Sequence, residues 1–305
     1  MNNIRFLKRS EIDGQKWDEL INNSANSLPY ALTWYLDAVA KNWGALVLND
    51  YHAVMPMVWL RKFGIKCLYQ PYYCQQLGVF SSRPVSPDVY RLFLNTAANH
   101  FSYIHININP SAIVVAGEFA LIKKKNLLLG LENSYAAIQK KYSEGHRRNI
   151  AKANKAQLIF SEQCDLKSFQ NFYLENVNRA KENFKPQHEK IFKKLTQVLI
   201  PNGPGAIFTA RDNEGNLLAA VLIVKHKMRL SAIVNTSSAT GKKYGASHFL
   251  FDHIIKKFSG SGYVLDFEGS SIAGVARFYE GFGATEETFY NYKHTLLKNI
   301  RVRFA

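Results

Sequence analysis

Four groups of residues have the types and spacing to do chemistry. Asp266 and Glu268 flank Phe267 at the end of an apolar run, YVLDFEG. Two apart on a strand, they share one face. Carboxylates held that way can exchange protons; equally, they can be a turn-capping Asp and a surface Glu. The junction after IVNTSS holds Lys242, Lys243, Tyr244, Gly245 and Ser247 at a helix start. Free N–H groups there, with two lysines, suit a phosphate, although a capped surface helix has the same look. Arg147 and Arg148 can each grip a phosphate or carboxylate with two N–H groups, or simply line a solvated basic helix. Tyr72, Tyr73, Gln75 and Gln76 lie in an aromatic, amide-rich stretch. Rings and amides together suit a sugar or peptide, and they suit a core edge strand as well.

Other chemistries fail on spacing. Gly241-Lys242 lacks the GxxxxGK[ST] pattern, and no GxGxxG or GxSxG is present. The nine histidines contain no HExxH. His248 and His253 are five apart and point to different helix faces, so no metal site is expected. Cys67, Cys74 and Cys164 form neither a disulfide framework nor a zinc pattern, and Cys74 reads as a core or pocket-wall thiol.

The elements that must position these residues alternate between helical and strand periods. Trp17, Leu20 and Ile21 mark one helix face; Leu32, Tyr35, Leu36 and Val39 mark a second. ALVLND and YHAVMPMVWL form two strands around an Asn49-Asp50 turn. A strand follows, broken at Pro71 and resumed at Gln76. Val89, Leu92, Phe93 and Thr96 mark a helix, and YIHINI alternates as a strand with one wet face. Residues 111–130 read as further strands, with Lys123–Lys125 at a solvated turn.

Residues 132–156 are basic and helix-forming. Lys141, Arg148, Lys152 and Lys155 fall on one face, and Gly145 marks a break between two helices. Next come a short strand at QLIFSE, a helix from Asp165 to Lys181 and another opening at Pro186. After a loop at 201–205, three antiparallel strands turn at 212–215 and near Lys227. A helix over 241–260, a short buried strand, a helix ending in a glycine turn and a last strand, TFYNYKHTLL, complete the chain. The two halves share an element order without a visible sequence repeat, which raises internal duplication as an expectation.

At roughly 150 residues per domain, 305 residues suggest about two domains. Hydrophobic residues are 47% and charged residues 20%, a folded rather than disordered balance. No apolar run reaches membrane-spanning length, and no secretory leader opens the sequence, so a cytoplasmic protein is expected. The net charge of +16 is uneven: residues 132–305 carry 26 basic and 15 acidic side chains. Such an excess attracts nucleic acid, phosphorylated ligands or an anionic membrane, and it favours the second half for a phosphorylated donor.

Two stretches together resemble the GNAT acyltransferases. IVNTSSATGKKYGASHFLFDHI stands where that family has Arg/Gln-x-x-Gly-x-Gly/Ala, with Gly245 as the matching glycine. AGVARFYEGFGAT resembles its closing Ala-x-x-x-Tyr-x-x-x-Gly. Over nearly the whole chain, the order of SLPYALTWYLDAVAKNWG, YSEGHRRNIAKANKAQLIF, DLKSFQNFYLENVNRAK and GYVLDFEGSSIAGVARFYEGFGA is similar to the FemAB-like (BioF2-like) double-GNAT transferases. The resemblance implies an α/β (α+β) fold of two tandem GNAT-like domains: 1–131, a basic linker at 132–156, and 157–305. It implies an N-acyltransferase moving an acetyl, acyl or aminoacyl group to an amine, such as a small amine or a peptidoglycan or saccharide precursor.

By the same resemblance, Tyr279 protonates the leaving group. Asp266 or Glu268 takes the amine proton. The strand ending at Asn235 and Thr236 offers an amide to the developing oxyanion. The implied donor is acetyl-CoA or another acyl-CoA, with aminoacyl-tRNA second and no metal. No heptad run of the kind found in tRNA-using members is present. A basic nucleic-acid (tRNA)-binding protein and a non-catalytic scaffold of the same fold remain open alternatives.

Overall fold

The computed structural model describes residues 3–180, 184–201, 203–269 and 272–296. Lys181, Asn202, Ser270, Ser271 and Leu297, which fall in stretches read above, lie outside these. In chain order the elements begin with β1 (Ile4–Lys8), α1 (Gly14–Asn23), α2 (Thr33–Val39), β2 (Trp43–Leu48), β3 (Ala53–Lys62), β4 (Ile65–Tyr69), β5 (Phe80–Ser81), α3 (Pro87–His100), β6 (Tyr103–Ile108) and β7 (Leu121–Gly130). They continue with α4 (Tyr135–Gln139), α5 (Glu144–Lys155), β8 (Ile159–Ser161), α6 (Leu166–Ala180), α7 (Pro186–Leu199), β9 (Gly205–Arg211), β10 (Leu217–His226) and β11 (Arg229–Ser237). The last are α8 (Ala239–Tyr244), α9 (Ala246–Phe258), β12 (Val264–Asp266), α10 (Ala273–Glu280) and β13 (Thr285–Thr295).

The chain forms two compact units, Met1–Lys124 with Thr288–Ala305, and Lys125–Glu287. In the first, β1 to β4 pair antiparallel in succession, β4 runs parallel to β6, and β6 pairs antiparallel with β13. In the second, β8 to β11 pair antiparallel, β11 runs parallel to β12, and β12 pairs antiparallel with β7. The pairing scheme is the same in both, so the halves share one architecture. The last strand in the pairing order of each unit comes from the other half of the sequence, and the units therefore do not coincide with a division at 131 and 156. The whole of 132–156 lies in the second unit.

Local sequence explains most elements. Asp13 caps α1, its side chain accepting from Gln15 and Lys16 amides at 3.1 Å, and Trp17, Leu20 and Ile21 go to the core. The hairpin between β2 and β3 turns through Asn49 and Tyr51, both at positive φ. β6 alternates half-buried and buried residues, as its period requires.

Several readings change. After Pro71 only an isolated bridge, Leu77 to Ile108, forms before β5, because residues 70–76 fold as a loop. Pro110 opens a 3-10 turn to Val115, so of 111–130 only β7 is a strand, and Lys123–Lys125 lie inside it. The buried stripe of α3 is Tyr90, Phe93, Leu94 and Ala97, rotated from the one read in sequence. The break in the basic stretch falls before Ser143, whose hydroxyl caps α5 through the His146 amide; Gly145 is inside α5 and Lys141 outside it. The stretch read as one helix over 241–260 is α8 and α9, parted at Gly245.

Candidate functional site

The site grows from the way β11 loses a neighbour. β10 accompanies β11 to Ser237, with a bulge where Leu222 faces Val234 and Ile223 faces Ala232. The bulge leaves Ile233 unpaired and adds local twist. On the other side β12 pairs with β11 only at Arg229, Leu230 and Ser231, and then ends. Glu268 (φ 57°) and Gly269 (φ 43°) turn the chain away; a Cβ on Gly269 would lie 2.3 Å from the Lys125 carbonyl. From Ala232 onward, that edge of β11 carries no strand ladder among the described residues, so its alternate backbone polar groups are left for other partners.

Beyond this edge the chain enters α8, whose first turn Ser238 caps at the Gly241 amide, 3.0 Å. Gly245, at φ 73°, ends α8 and starts α9. Its amide closes onto the carbonyls of Gly241 and Lys242. The amides of Ala246, Ser247 and His248 open α9 and have no acceptor within it. Only glycine fits at 245: its φ is left-handed, and a Cβ would stand 2.8 Å from the Asn149 carbonyl of α5.

A pocket of about 370 Å³ lies where the open edge of β11 meets this helix start. Asn235, Thr236, Lys242, Gly245 and Ser247, which the resemblance grouped as donor contacts, line it. Lys243 and Tyr244 do not: Lys243 is exposed above the Tyr244 ring, 5.7 Å away, and Tyr244 packs on the core. His248, Gly274, Val275 and Phe278 complete the wall and were not foreseen. Gly274 is the one sequence could have flagged, since a glycine in the first turn of an amphipathic helix gives up stability for space. A Cβ there meets nothing within 4 Å. The Asn235 side-chain oxygen is buried with no hydrogen-bond partner among the described residues. Such an atom costs stability unless a ligand satisfies it.

Tyr279 is buried next to Phe278 in α10 and does not itself line the pocket. The Tyr279 ring stacks on Phe267, centroids 4.6 Å apart, and meets Phe251 edge-on. Burial pushes the Tyr279 phenol up to about 12; the Asn235 amide opposes that rise and the Glu268 carboxylate adds to it. Tyr279 thus stays protonated at neutral pH, beside Asn235.

The two carboxylates do not share a face. Asp266, fully buried, pairs with Arg229 at 2.6 Å and accepts the Glu268 amide at 2.8 Å. Arg229 also reaches Glu287 at 3.3 Å. Burial raises the Asp266 carboxyl against the pull of Arg229. Because the strand ends at 266, Glu268 leaves its line and lies half-buried near Tyr279.

The remaining candidates lie elsewhere. Arg147 and Arg148 are exposed on α5: Arg147 donates to the Lys140 carbonyl at 2.8 Å, and Arg148 stands 3.7 Å from Glu144. Arg147 borders a separate depression between α4 and α5. His146 anchors α5 to α10, with Nε2 2.7 Å from the Phe278 carbonyl and Nδ1 2.9 Å from the Ser143 hydroxyl.

In the first unit, Tyr72 is exposed, while the Tyr73 carbonyl accepts the Tyr35 hydroxyl. Gln75 and Gln76 are pinned inward: Asn107 donates to the Gln75 carbonyl at 2.9 Å, and Gln76 donates to the Gln75 side chain at 2.9 Å. Gln76 is fully buried, its oxygen unpartnered among the described residues. Cys67 and Cys74 are buried thiols. Among the described residues no His, Cys, Asp and Glu cluster could hold a metal, and no helix is long and apolar enough to cross a membrane.

No protein-family model matches the sequence, and no curated protein matches it significantly. Solved structures do match. FemX superposes with a TM-score of 0.66 at 11% identity, over 94% of this chain and 96% of its own. L-PGS from Bacillus licheniformis gives 0.59 at 14% identity, over 94% and 93%. The GCN5-related glucosamine N-acetyltransferase region of a fungal multi-domain β-N-acetylglucosaminidase gives 0.50 at 10% identity, over 96% of this chain and 38% of that one. The chain therefore has the tandem GNAT fold of FemX-like proteins.

Proposed function

We propose that the second unit is an acyltransferase module that moves an acyl or aminoacyl group from a phosphate-bearing activated donor to an amine. The observation that carries this reading is the pocket at the free edge of β11, with an α-helix start on its rim and an unsatisfied Asn235 oxygen inside it. An extended donor arm bearing amides can pair with the unladdered backbone after Ala232. Its N–H can satisfy Asn235. Its phosphates suit the amides of Ala246, Ser247 and His248, with Lys242 beside them. The bound donor supplies an activated acyl carbonyl, and the chain's own groups do the rest. An amide of β11 near the Ile233 bulge stabilises the oxyanion. Tyr279, neutral at working pH, gives a proton to the departing group. Glu268, more open than Asp266, takes one from the amine. Acetyl-CoA or another acyl-CoA fits this description, and aminoacyl-tRNA is the second candidate. Tyr72 and its neighbours remain the proposed contacts for a saccharide or peptidoglycan-precursor acceptor, with Arg147 and Arg148 for an acidic group on a substrate.

Calorimetric titration of acetyl-CoA, and separately of aminoacyl-tRNA, into the wild type and Gly274→Trp tests the reading. Gly274 lines the pocket and a Cβ there meets nothing within 4 Å, so position 274 has room to start a bulky side chain. Binding of one donor, lost in the variant while its melting temperature is unchanged, supports the proposal. Absence of binding by both donors, or equal binding by the variant, overturns it.

A further inference from the structure

The β3–β4 hairpin of the first unit ends in a two-residue turn, Phe63-Gly64, between the paired residues Lys62 and Ile65. Both turn residues have positive φ, 51° and 75°. Asn-Gly is the favoured pair for such a turn, and a phenylalanine there is sterically costly. Phe63 is also 88% exposed, the most open large hydrophobic side chain among the described residues. A bulky ring in a strained turn, facing water, loses on both counts unless something receives it.

Its surroundings are net basic. The segments at this end of the first unit's sheet are 8–11, 37–44, 59–68, 98–106 and 292–296. They contain Lys8, Arg9, Lys41, Arg61, Lys62, Lys66 and Lys293 against Glu11 and Asp37, and Asp37 is paired with Arg9. Register and backbone bonds gather them: Trp59 donates to the Asn42 carbonyl, Cys67 faces Tyr103, and Leu296 donates to the Ser102 carbonyl. Lys66 is held over the Phe6 and Phe101 rings at 4.5 Å, which fixes its charge near the tip. Leu296, 67% exposed, adds a second apolar side chain at this end.

We infer that this end of the first unit docks on a bilayer surface containing anionic lipid, with Phe63 entering the headgroup region and Arg61 and Lys62 against the phosphates. A two-residue tip offers far less than the roughly 800 Å² per partner of a stable protein interface. A single ring flanked by cations is enough for interfacial insertion. This inference is independent of the transferase reading.

Sedimentation with vesicles of phosphatidylglycerol and phosphatidylcholine tests it. Wild type binds phosphatidylglycerol-containing vesicles and not pure phosphatidylcholine. Phe63→Asn weakens binding at least about fivefold while raising the melting temperature, since Asn suits the turn. Replacing Arg61 and Lys62 with Ser weakens it by roughly fivefold per cation at low salt. Phe63→Trp shows a blue shift of emission on the vesicles. The inference is overturned if wild type does not bind, if Phe63→Asn binds as wild type does, or if the emission of the Phe63→Trp variant is unmoved. Self-association that Phe63→Asn dissolves would also overturn it, with a second copy as the occupant.

Discussion

Arg229 and Asp266 meet at 2.6 Å across the parallel strands β11 and β12, Arg229 at the first rung of their three-residue ladder and Asp266 at the last. Asp266 is fully buried, and Arg229 bridges it to Glu287. The pair spans this short ladder from its first rung to its last and ties the two strands together. Removing one partner strands a buried charge. Arg229→Met should cost about 3–5 kcal/mol in chemical denaturation. Adding Asp266→Asn should recover much of that loss, because the uncompensated carboxylate is gone. An additive double variant would mean that the two residues stabilise the fold separately.

Tyr279 and Glu268 have different expected signatures. Tyr279→Phe keeps the ring on Phe267 and deletes only the hydroxyl, so stability should hold while kcat falls by about 10²–10⁴ with donor KM unchanged. Glu268→Gln should lower kcat/KM and remove the acidic limb of its pH profile, because a base must be ionised to act. Steady-state kinetics across pH separates the two. An unchanged rate in Tyr279→Phe would remove that residue from the chemistry.

At Gly245, Ala forces a side chain into a left-handed position, 2.8 Å from the Asn149 carbonyl. Gly245→Ala should destabilise the protein by about 1–3 kcal/mol and weaken donor binding, since the turn aims the first amides of α9. Denaturant midpoints and titration calorimetry measure the two effects. Gly215, at φ 86° with open space around it, is the control: Ala there bears the conformational penalty without the clash and lies away from the pocket.

His248 gives stability a pH dependence. Burial, then the nearby His146, hold its imidazole down to about 4, against an ordinary 6.5. Between those values the unfolded chain takes up a proton that the folded protein refuses. Stability from this group is complete above about pH 6.5 and is lost as pH falls toward 4. His226, lowered to about 4 by burial and by Lys227 and Arg229, acts in the same direction. His248→Gln should therefore flatten unfolding free energy against pH between 6.5 and 4, with His226 leaving a residual slope. An unaltered slope would mean that His248 titrates normally in the folded chain.

Sequence by itself determined what short-range physics controls. Period and turn residues located most helices and strands, from the face of Trp17, Leu20 and Ile21 to the Lys227 turn. The junction around Gly245 was visible as a glycine and two lysines close together in the chain; that Gly245 is left-handed and parts α8 from α9 was not. Tertiary structure decided what depends on partners far away in sequence. That β12 stops at Asp266, separating Glu268 from the strand face, follows from packing against β7 and from the tight approach of Gly269 to Lys125. The commitment of Asp266 to Arg229 joins residues 37 positions apart. The exchange of β7 and β13 between the two units leaves no local signal, since each strand has a suitable pattern whichever unit it completes. Burial and strand pairing are collective, and they alone determine which polar residues face a pocket and which are spent holding the fold together.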